Sequence, residues 1–446
     1  MTTILTNGTV VTSWARPRVI NDAGIAWDGD RIRALDRPAV LLERFPSASV
    51  LDAEGGLIVP GFINLHHHFY STLARGLDPG TTPDGFGDIL EALWWRLDRA
   101  LDEPAVRISA RLALADCIRW GCTTVFDHHA SPNFITGSLD TIAAEVRSAG
   151  LSALLCYEAS DRNGPDEAMA GVEENVDFCT RHLDNPRIRG TMGLHASFTV
   201  SDTTLEASAR LRPPGAGCHI HVAEDLIDVR VSNALYGAGP VDRLVNAGLL
   251  DDRALLAHCI HLGSEDLTKV ADAGAVVIHN PESNANNGVG RLDLVAASRA
   301  GCTLGLGTDG MASSMPRSLK AAFLGQRAAL GDPRVGFEVQ PHLMATNAAI
   351  AARFFAEPLL GEITEGAPAD VAVIDAPPPT PIHPDNLFGH LVYGASETPV
   401  RHTIARGRIV MKDFELTTVD HEAAAADARL IAPEVWARFK AMPTLQ

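Results

Sequence analysis

Positive charge is what this chain of 446 residues has least of: 37 lysines and arginines stand against 55 aspartates and glutamates, a formal net charge of −18. That balance disfavours nucleic acid and anionic membrane as partners, because both need a positive face. Cysteine is sparse too. Cys117, Cys122, Cys156, Cys179, Cys218, Cys259 and Cys302 are odd in number, widely spaced and contain no Cys-x-x-Cys pair. They argue against a disulfide framework and for a reduced, cytoplasmic compartment. The amino-terminal Met1-Thr2-Thr3-Ile4-Leu5 has no basic stretch leading into a long apolar run, so no signal peptide is expected. No uninterrupted apolar stretch is long enough to cross a bilayer. Internal repeats and low-complexity segments are missing as well. What remains, 46% hydrophobic and 21% charged residues, is the composition of a folded chain with a sizeable core.

The pattern along the chain changes twice. Residues 1–57 read as short strands and Gly turns, such as Asn7-Gly8 and Asp28-Gly29. From Leu57 onward short apolar runs alternate with longer helical stretches such as Pro104–Trp120 and Asp140–Ala149, the mark of βα units. Eight runs qualify as strands: Leu57–Leu65, Thr123–Asp127, Ala153–Tyr157, Ile188–Leu194, Cys218–Val222, Leu255–His258, Ala275–His279 and Thr303–Leu306. Eight such units over this length predict an α/β fold, a (β/α)8 TIM barrel across 58–360. Strand signals return over 361–415, with a hairpin at Thr403–Val410. These segments are expected to pair with 1–57 in a small, β-sandwich-like domain built from both chain ends. The remainder, 416–446, reads as a helical tail docked by Leu430, Ile431 and Trp436. Residues 75–100 form a long connection rich in Gly and Pro, then a helical stretch with Trp94 and Trp95, read as a lid or as a packed helix.

Chemistry-bearing residues gather where these strands end. In Gly61-Phe62-Ile63-Asn64-Leu65-His66-His67-His68, alternation along a strand puts His66 and His68 on one face and His67 on the other. Two neutral imidazoles so placed can share one metal ion. In His219-Ile220-His221-Val222-Ala223-Glu224, His221 is nearer the strand's carboxyl end and is favoured as a ligand, with His219 as support below it. Glu224 follows the strand, near enough to carry protons. His258 and Asp309, the latter within Gly307-Thr308-Asp309-Gly310, complete the set. His128, His195 and His279 end other strands and are candidate substrate contacts, His128 sharing that reading with a structural one. Arg162 could meet a substrate carboxylate or form a salt bridge.

Taken together, Pro60-Gly61-Phe62-Ile63-Asn64-x-His-x-His, His221-x-x-Glu224, His258 and Gly307-Thr308-Asp309 resemble the amidohydrolase superfamily, in its aminohydrolase branch of deaminases and triazine hydrolases. Asp127-His128-His129-Ala130-Ser131-Pro132, Ser160-Asp161-Arg162-Asn163-Gly164, His279-Asn280-Pro281-Glu282-Ser283-Asn284 and Asp385-Asn386-Leu387-Phe388-Gly389-His390 are similar to the SsnA-type aminohydrolases. The resemblance covers almost the whole chain. It implies metal ligands His66, His68, His221 and Asp309, and proton-transfer roles for Glu224 and His258; the mechanism further needs Asp309 as the catalytic acceptor of the water's proton. His195-Ala196-Ser197-Phe198 departs from the His-Ala-Pro-Tyr of related deaminases. No lysine ends the fourth strand, where binuclear relatives carry a bridging carbamate, so one divalent ion is implied, zinc first and iron second. The implied activity is hydrolytic deamination at a C–NH2 or C=NH carbon of a nitrogen heterocycle or cyclic amidine. Its competitors are displacement of a halide or opening of a cyclic amide, and a non-catalytic barrel. A small-molecule substrate and a homo-oligomer complete the expectation.

Overall fold

The computed structural model describes residues 2–443. Both chain ends build one sheet of nine strands. From the amino-terminal side come β1 (Thr3–Val11), β2 (Val19–Asp28), β3 (Arg31–Asp36), β4 (Ser49–Asp52) and β5 (Leu57–Pro60). After the central region come β15 (Val371–Ile374), β16 (Val400–Ala405), β17 (Arg408–Lys412) and β18 (Glu415–Leu416). The order is β18-β17-β16-β15-β5-β1-β2-β3, with β4 paired parallel to β1. The junction of the two ends is the antiparallel pair β15 and β5, where Val371 faces Pro60 and Ile374 faces Leu57. It is one hydrogen-bonded sheet, not two. It curls over so that Ile32 N donates to the Ala367 carbonyl and Trp27 Nε1 to the Gly407 carbonyl. Leu5, Ile25, Trp27, Ile58, Val373 and Ile404 are packed inside the curl.

The first strand expected of the barrel begins later than the apolar run suggests. Leu57–Pro60 belongs to the terminal sheet, and only β6 (Phe62–His67) belongs to the parallel sheets of the central region. The chain crosses between layers at Gly61, whose N–H bonds the Asp370 carbonyl and where a Cβ would lie 2.3 Å from Thr123 Oγ1. One continuous hydrophobic run therefore spans two sheets, because both strands are buried on both faces.

The remaining parallel strands are β7 (Cys122–His129), β8 (Ser152–Tyr157), β9 (Ile188–Gly190), β10 (Met192–Ala196), β11 (Cys218–Val222), β12 (Ala254–His258), β13 (Val276–His279) and β14 (Thr303–Leu306). They form sheets β6-β7-β8-β9 and β10-β11-β12-β13-β14. Parallel bridges Ala159–Leu194 and His67–Asp309 join these at both seams. These nine strands make a ring of eight positions, with β9 and β10 sharing one position at a seam. The expected single strand Ile188–Leu194 is thus split in two. Asn347, on the helix Leu343–Phe355, stitches the second seam: its Nδ2 donates to the carbonyls of Ile63 and Leu306, and its Oδ1 accepts from Leu306 N–H. Phe354 and Phe355 of the same helix pack with Ile63, Leu65, Phe126, Leu154 and Ile278. That apolar packing leaves the opposite, carboxyl-terminal end of the strands for polar groups.

The carboxyl-terminal helix His421–Ala441 docks through Val435, Phe439 and Trp436, whose Nε1 donates to the Leu73 carbonyl. Leu430, expected to help, is 74% exposed and lies on the solvent-facing side of the helix. Among the described residues no helix is long and apolar enough to cross a membrane.

Candidate metal centre and active site

His66 and His68 lie at the carboxyl end of β6, with ring centroids 4.8 Å apart. A register break between Asn64 and His67 marks the pairing of this stretch with β7. His67 departs from its neighbours and reaches Ser313 Oγ at 2.9 Å through Nε2, as alternation requires. His221 comes from β11. Asp309 follows β14, held there because Thr308 N–H and Asp309 N–H both donate to the His66 carbonyl. Gly307 is needed for that approach: a Cβ would lie 2.4 Å from Asn280 Oδ1 and 2.9 Å from His66 Cβ. Ala223, His258, Cys259 and Asp309 all have positive φ, a conformation that non-glycine residues hold at a cost and that clusters at functional sites.

One donor atom from each of His66, His68, His221 and Asp309 lies within 4.8 Å of the others. The remaining ring nitrogens are already used. His68 Nδ1 donates to the His128 carbonyl at 2.5 Å, and His221 Nδ1 to the His195 carbonyl at 2.8 Å. His66 Nδ1 meets His219 Nε2 at 2.9 Å, which places His219 as the support beneath. A carbonyl can only accept, so in their neutral forms His68 and His221 turn lone pairs toward each other across a 3.2 Å gap between Nε2 atoms. Two facing lone pairs repel unless a cation lies between them. His66 Nε2 is buried with no hydrogen-bond partner. Asp309 Oδ1 stands 2.9 Å from His68 Nε2 and 3.4 Å from His66 Nε2. Burial works to raise the Asp309 carboxyl, but His66 and His68 hold it well below the carboxylate range. Burial lowers His66 to about 3; for His68 the adjoining Asp309 overrides burial and lifts it to about 9. Three imidazoles and a carboxylate that favour one positive charge are a fitting donor set for a divalent cation.

Beside this cluster, Glu224 Oε2 is 3.4 Å from His258 Nε2, and Asn287 Nδ2 donates to Glu224 Oε1 at 3.3 Å. Burial pushes the Glu224 carboxyl up to about 7, with His258 opposing. His258 Nδ1 is bound to Asn284 Oδ1 at 2.7 Å, leaving Nε2 3.7 Å from Asp309 Oδ2. Ser283 Oγ donates to that same Oδ2 at 2.5 Å. Both proton-carrying candidates are therefore oriented by the segment Pro281–Asn287, which follows β13.

These groups open into a cavity of about 790 Å³, mouth included, whose walls add Tyr70, Phe86, Leu90, Trp94, Trp95 and Phe198. Phe86, Leu90 and Trp94 pack with Ile227, Phe198 and Val289, so the long connection 75–100 covers the site. Trp94 and Trp95 serve packing and cavity wall together.

Of the candidate substrate contacts, only His195 lines the cavity. His128 is fully buried behind it, between Glu158 Oε2 at 3.2 Å and the His219 carbonyl at 3.1 Å. His279 is buried and does not line the cavity. Arg162 is neither a surface salt bridge nor free for a substrate carboxylate: its side chain, only 9% exposed, is held between Asp98 Oδ2 at 3.0 Å and Glu158 Oε1 at 3.2 Å. Strand ends alone did not separate residues facing the cavity from those sealed behind it. Four lining carboxylates were missed, Asp98, Glu158, Asp225 and Asp228. Glu158 directly follows the apolar run of β8, the same strand-end signal that marked the histidines. Asp98, inside a helix after a loop, carries no local signal.

A sequence model described as the amidohydrolase family matches residues 57–410. A 5-methylthioadenosine/S-adenosylhomocysteine deaminase of Haloarcula marismortui is 31% identical over 414 residues, covering 90% of this chain and 91% of its own. Its counterpart from Thermococcus onnurineus is 32% identical over 376 residues, covering 82% and 85%. Among solved structures, an adenosine deaminase from Xanthomonas campestris with bound zinc superposes with a TM-score of 0.80 at 25% identity, covering 98% of both chains. Guanine deaminase from Escherichia coli superposes at 0.77 with 21% identity, over 92% of this chain and 99% of that one, a likeness of fold alone.

Proposed function

This chain belongs to the amidohydrolase family, and from that premise we propose that it is a metal-dependent hydrolytic deaminase of a nitrogen heterocycle or cyclic amidine. Water replaces the amine at a C–NH2 carbon, a carbonyl is left and ammonia departs. The observation that carries this reading is the Glu224 carboxyl, pushed up to about 7 by burial and lying beside His258, next to a donor set that suits one cation. An amine leaves only with a proton, and Glu224 is placed to supply one.

His66, His68, His221 and Asp309 would hold one divalent ion, zinc in the first instance, which supplies Lewis acidity and acidified water at neutral pH. The chain's own groups do the rest. Asp309 takes a proton on a carboxylate oxygen as the nucleophile forms. His258 Nε2, fixed by Asn284, orients the attacking oxygen. Glu224 gives its proton to the ring nitrogen beside the attacked carbon, takes up the proton released by the new C–OH as the carbonyl forms, and passes it to the departing amine, while the proton held by Asp309 restores Glu224 for the next turnover. The residues of the cover, Phe86, Leu90 and Trp94, keep bulk water out.

The same reading takes the ring of eight positions as the TIM barrel and the curled sheet at the chain ends as a second, small β-domain supporting it. Its parts are then 1–60 and 361–416, since β5 lies in that sheet. Ammonia release from a panel of aminopurines, aminopyrimidines, pterins, triazines and cyclic guanidines by the zinc-loaded protein tests the function. Release of halide or ring opening without ammonia would overturn it.

A further inference from the structure

Six carboxylates line the cavity, those of Asp98, Glu158, Glu224, Asp225, Asp228 and Asp309, and no lysine or arginine does. Five of them are already committed. Asp309 and Glu224 belong to the reaction. Asp225 accepts from Ile227 N–H at its helix start. Asp228 accepts from Phe198 N–H and Ala223 N–H. Glu158 is held by His128 and Arg162. Asp98 is different: Arg162 engages Oδ2, whereas Oδ1 is buried with no hydrogen-bond partner, and the residue is only 2% exposed. Desolvation pushes its carboxyl up to about 7, with the Arg162 guanidinium and the Arg99 backbone N–H opposing. Around it stand flat aromatic walls. Trp95 carries the Arg162 guanidinium 5.1 Å from its ring, and Trp94 meets Tyr70 edge to face at 6.3 Å. The arginine that could have received a substrate carboxylate is spent on two buried carboxylates, and withdrawing it would leave both uncompensated.

Resting on the deaminase reading, we infer that the substrate carries a second N–H-bearing group besides the departing amine, that Asp98 Oδ1 accepts from it, and that molecules bearing a carboxylate or phosphate are excluded. A buried acceptor without a donor is costly, and a charge-assisted bond to a substrate nitrogen relieves that cost. An anionic substituent at this subsite would face the Asp98 carboxylate, with no lysine or arginine in the cavity wall to receive it. Asp98 is thus a specificity-determining residue, and the substrate class is a neutral or cationic diamino or guanidine-like heterocycle.

Binding can be read without turnover, because Trp94 and Trp95 line the cavity and ligand should quench their fluorescence. Three probes of similar size suffice with the zinc-loaded full chain: 2,4-diaminopyrimidine, 4-aminopyrimidine and 4-aminopyrimidine-2-carboxylate. The diamino probe should bind about 10-fold or more tighter than the monoamino one, on the scale of one charge-assisted hydrogen bond. The carboxylate should bind weakest. Asp98→Asn should erase the diamino preference and leave the affinity for 4-aminopyrimidine within a few fold, its melting temperature serving as the check on folding. Equal affinity for all three probes, tighter binding of the carboxylate, or no binding of the diamino probe would overturn the inference. Ammonia measured in parallel separates the two questions: selective binding with no ammonia from any probe or panel compound speaks against the deaminase reading and leaves the subsite standing.

Discussion

Exchanging Glu224 for glutamine isolates the proton that this chemistry needs. Glutamine preserves the acceptor for Asn287, 3.3 Å away, and offers an amide N–H to His258, whose Nε2 lies 3.4 Å from the carboxyl and is the ring's free nitrogen. Shape and contacts are retained while titration is lost. Burial pushes the native carboxyl up to about 7, toward the acid form that can give a proton. A general acid–base group contributes about 10²–10⁴-fold, or about 3–5 kcal/mol of barrier. Glu224→Gln should therefore lose turnover on that order, at unchanged metal content and with no fall in melting temperature. Turnover, elemental analysis and melting belong on one preparation. Near-normal turnover would refute the proton-carrying role and revive displacement of a leaving group that needs no proton, such as halide. Loss of metal would make Glu224 a ligand.

Elemental analysis of protein purified without added metal should give close to one divalent ion per chain. It should fall toward zero in His66→Ala; a stoichiometry near two, or normal metal in that variant, would count against the four-residue site. Chelation should lower the melting temperature as well as abolish activity, because a ligand held at 1,000 times its dissociation constant adds about 4 kcal/mol. Acid should destabilise the fold through His129 and His279, both lowered to about 3 by burial. A histidine with a depressed folded value binds its proton more readily when unfolded, so stability is full above about 6.5 and declines below it, by about 2 kcal/mol per histidine at pH 5. A melting temperature unchanged between pH 7 and 5 would contradict this. Gly61→Ala should cost about 1–3 kcal/mol by overpacking against Thr123 at the crossing between sheets, seen as a lower denaturation midpoint.

Much of this molecule is decided by local sequence. Apolar runs of four to eight residues, alternating with helical stretches, specify parallel strands and their order, since a buried strand must be hydrophobic on both faces. Cys218–Val222 and Thr303–Leu306 can be read to the residue. His66, His68, His221, Glu224, His258 and Asp309 are legible because each lies at a strand end, the position from which side chains converge in a barrel. Other features depend on contacts that no local stretch encodes. The run from Leu57 to Leu65 is divided at Gly61 only because Asp370 and Thr123, far along the chain, press on that one residue. Arg162 and His128 cannot be told from cavity residues until Glu158 and Asp98 are seen to enclose them. Asp98 becomes meaningful only in three dimensions: the long connection carries it into the cavity, where burial removes water and leaves one carboxylate oxygen without a donor.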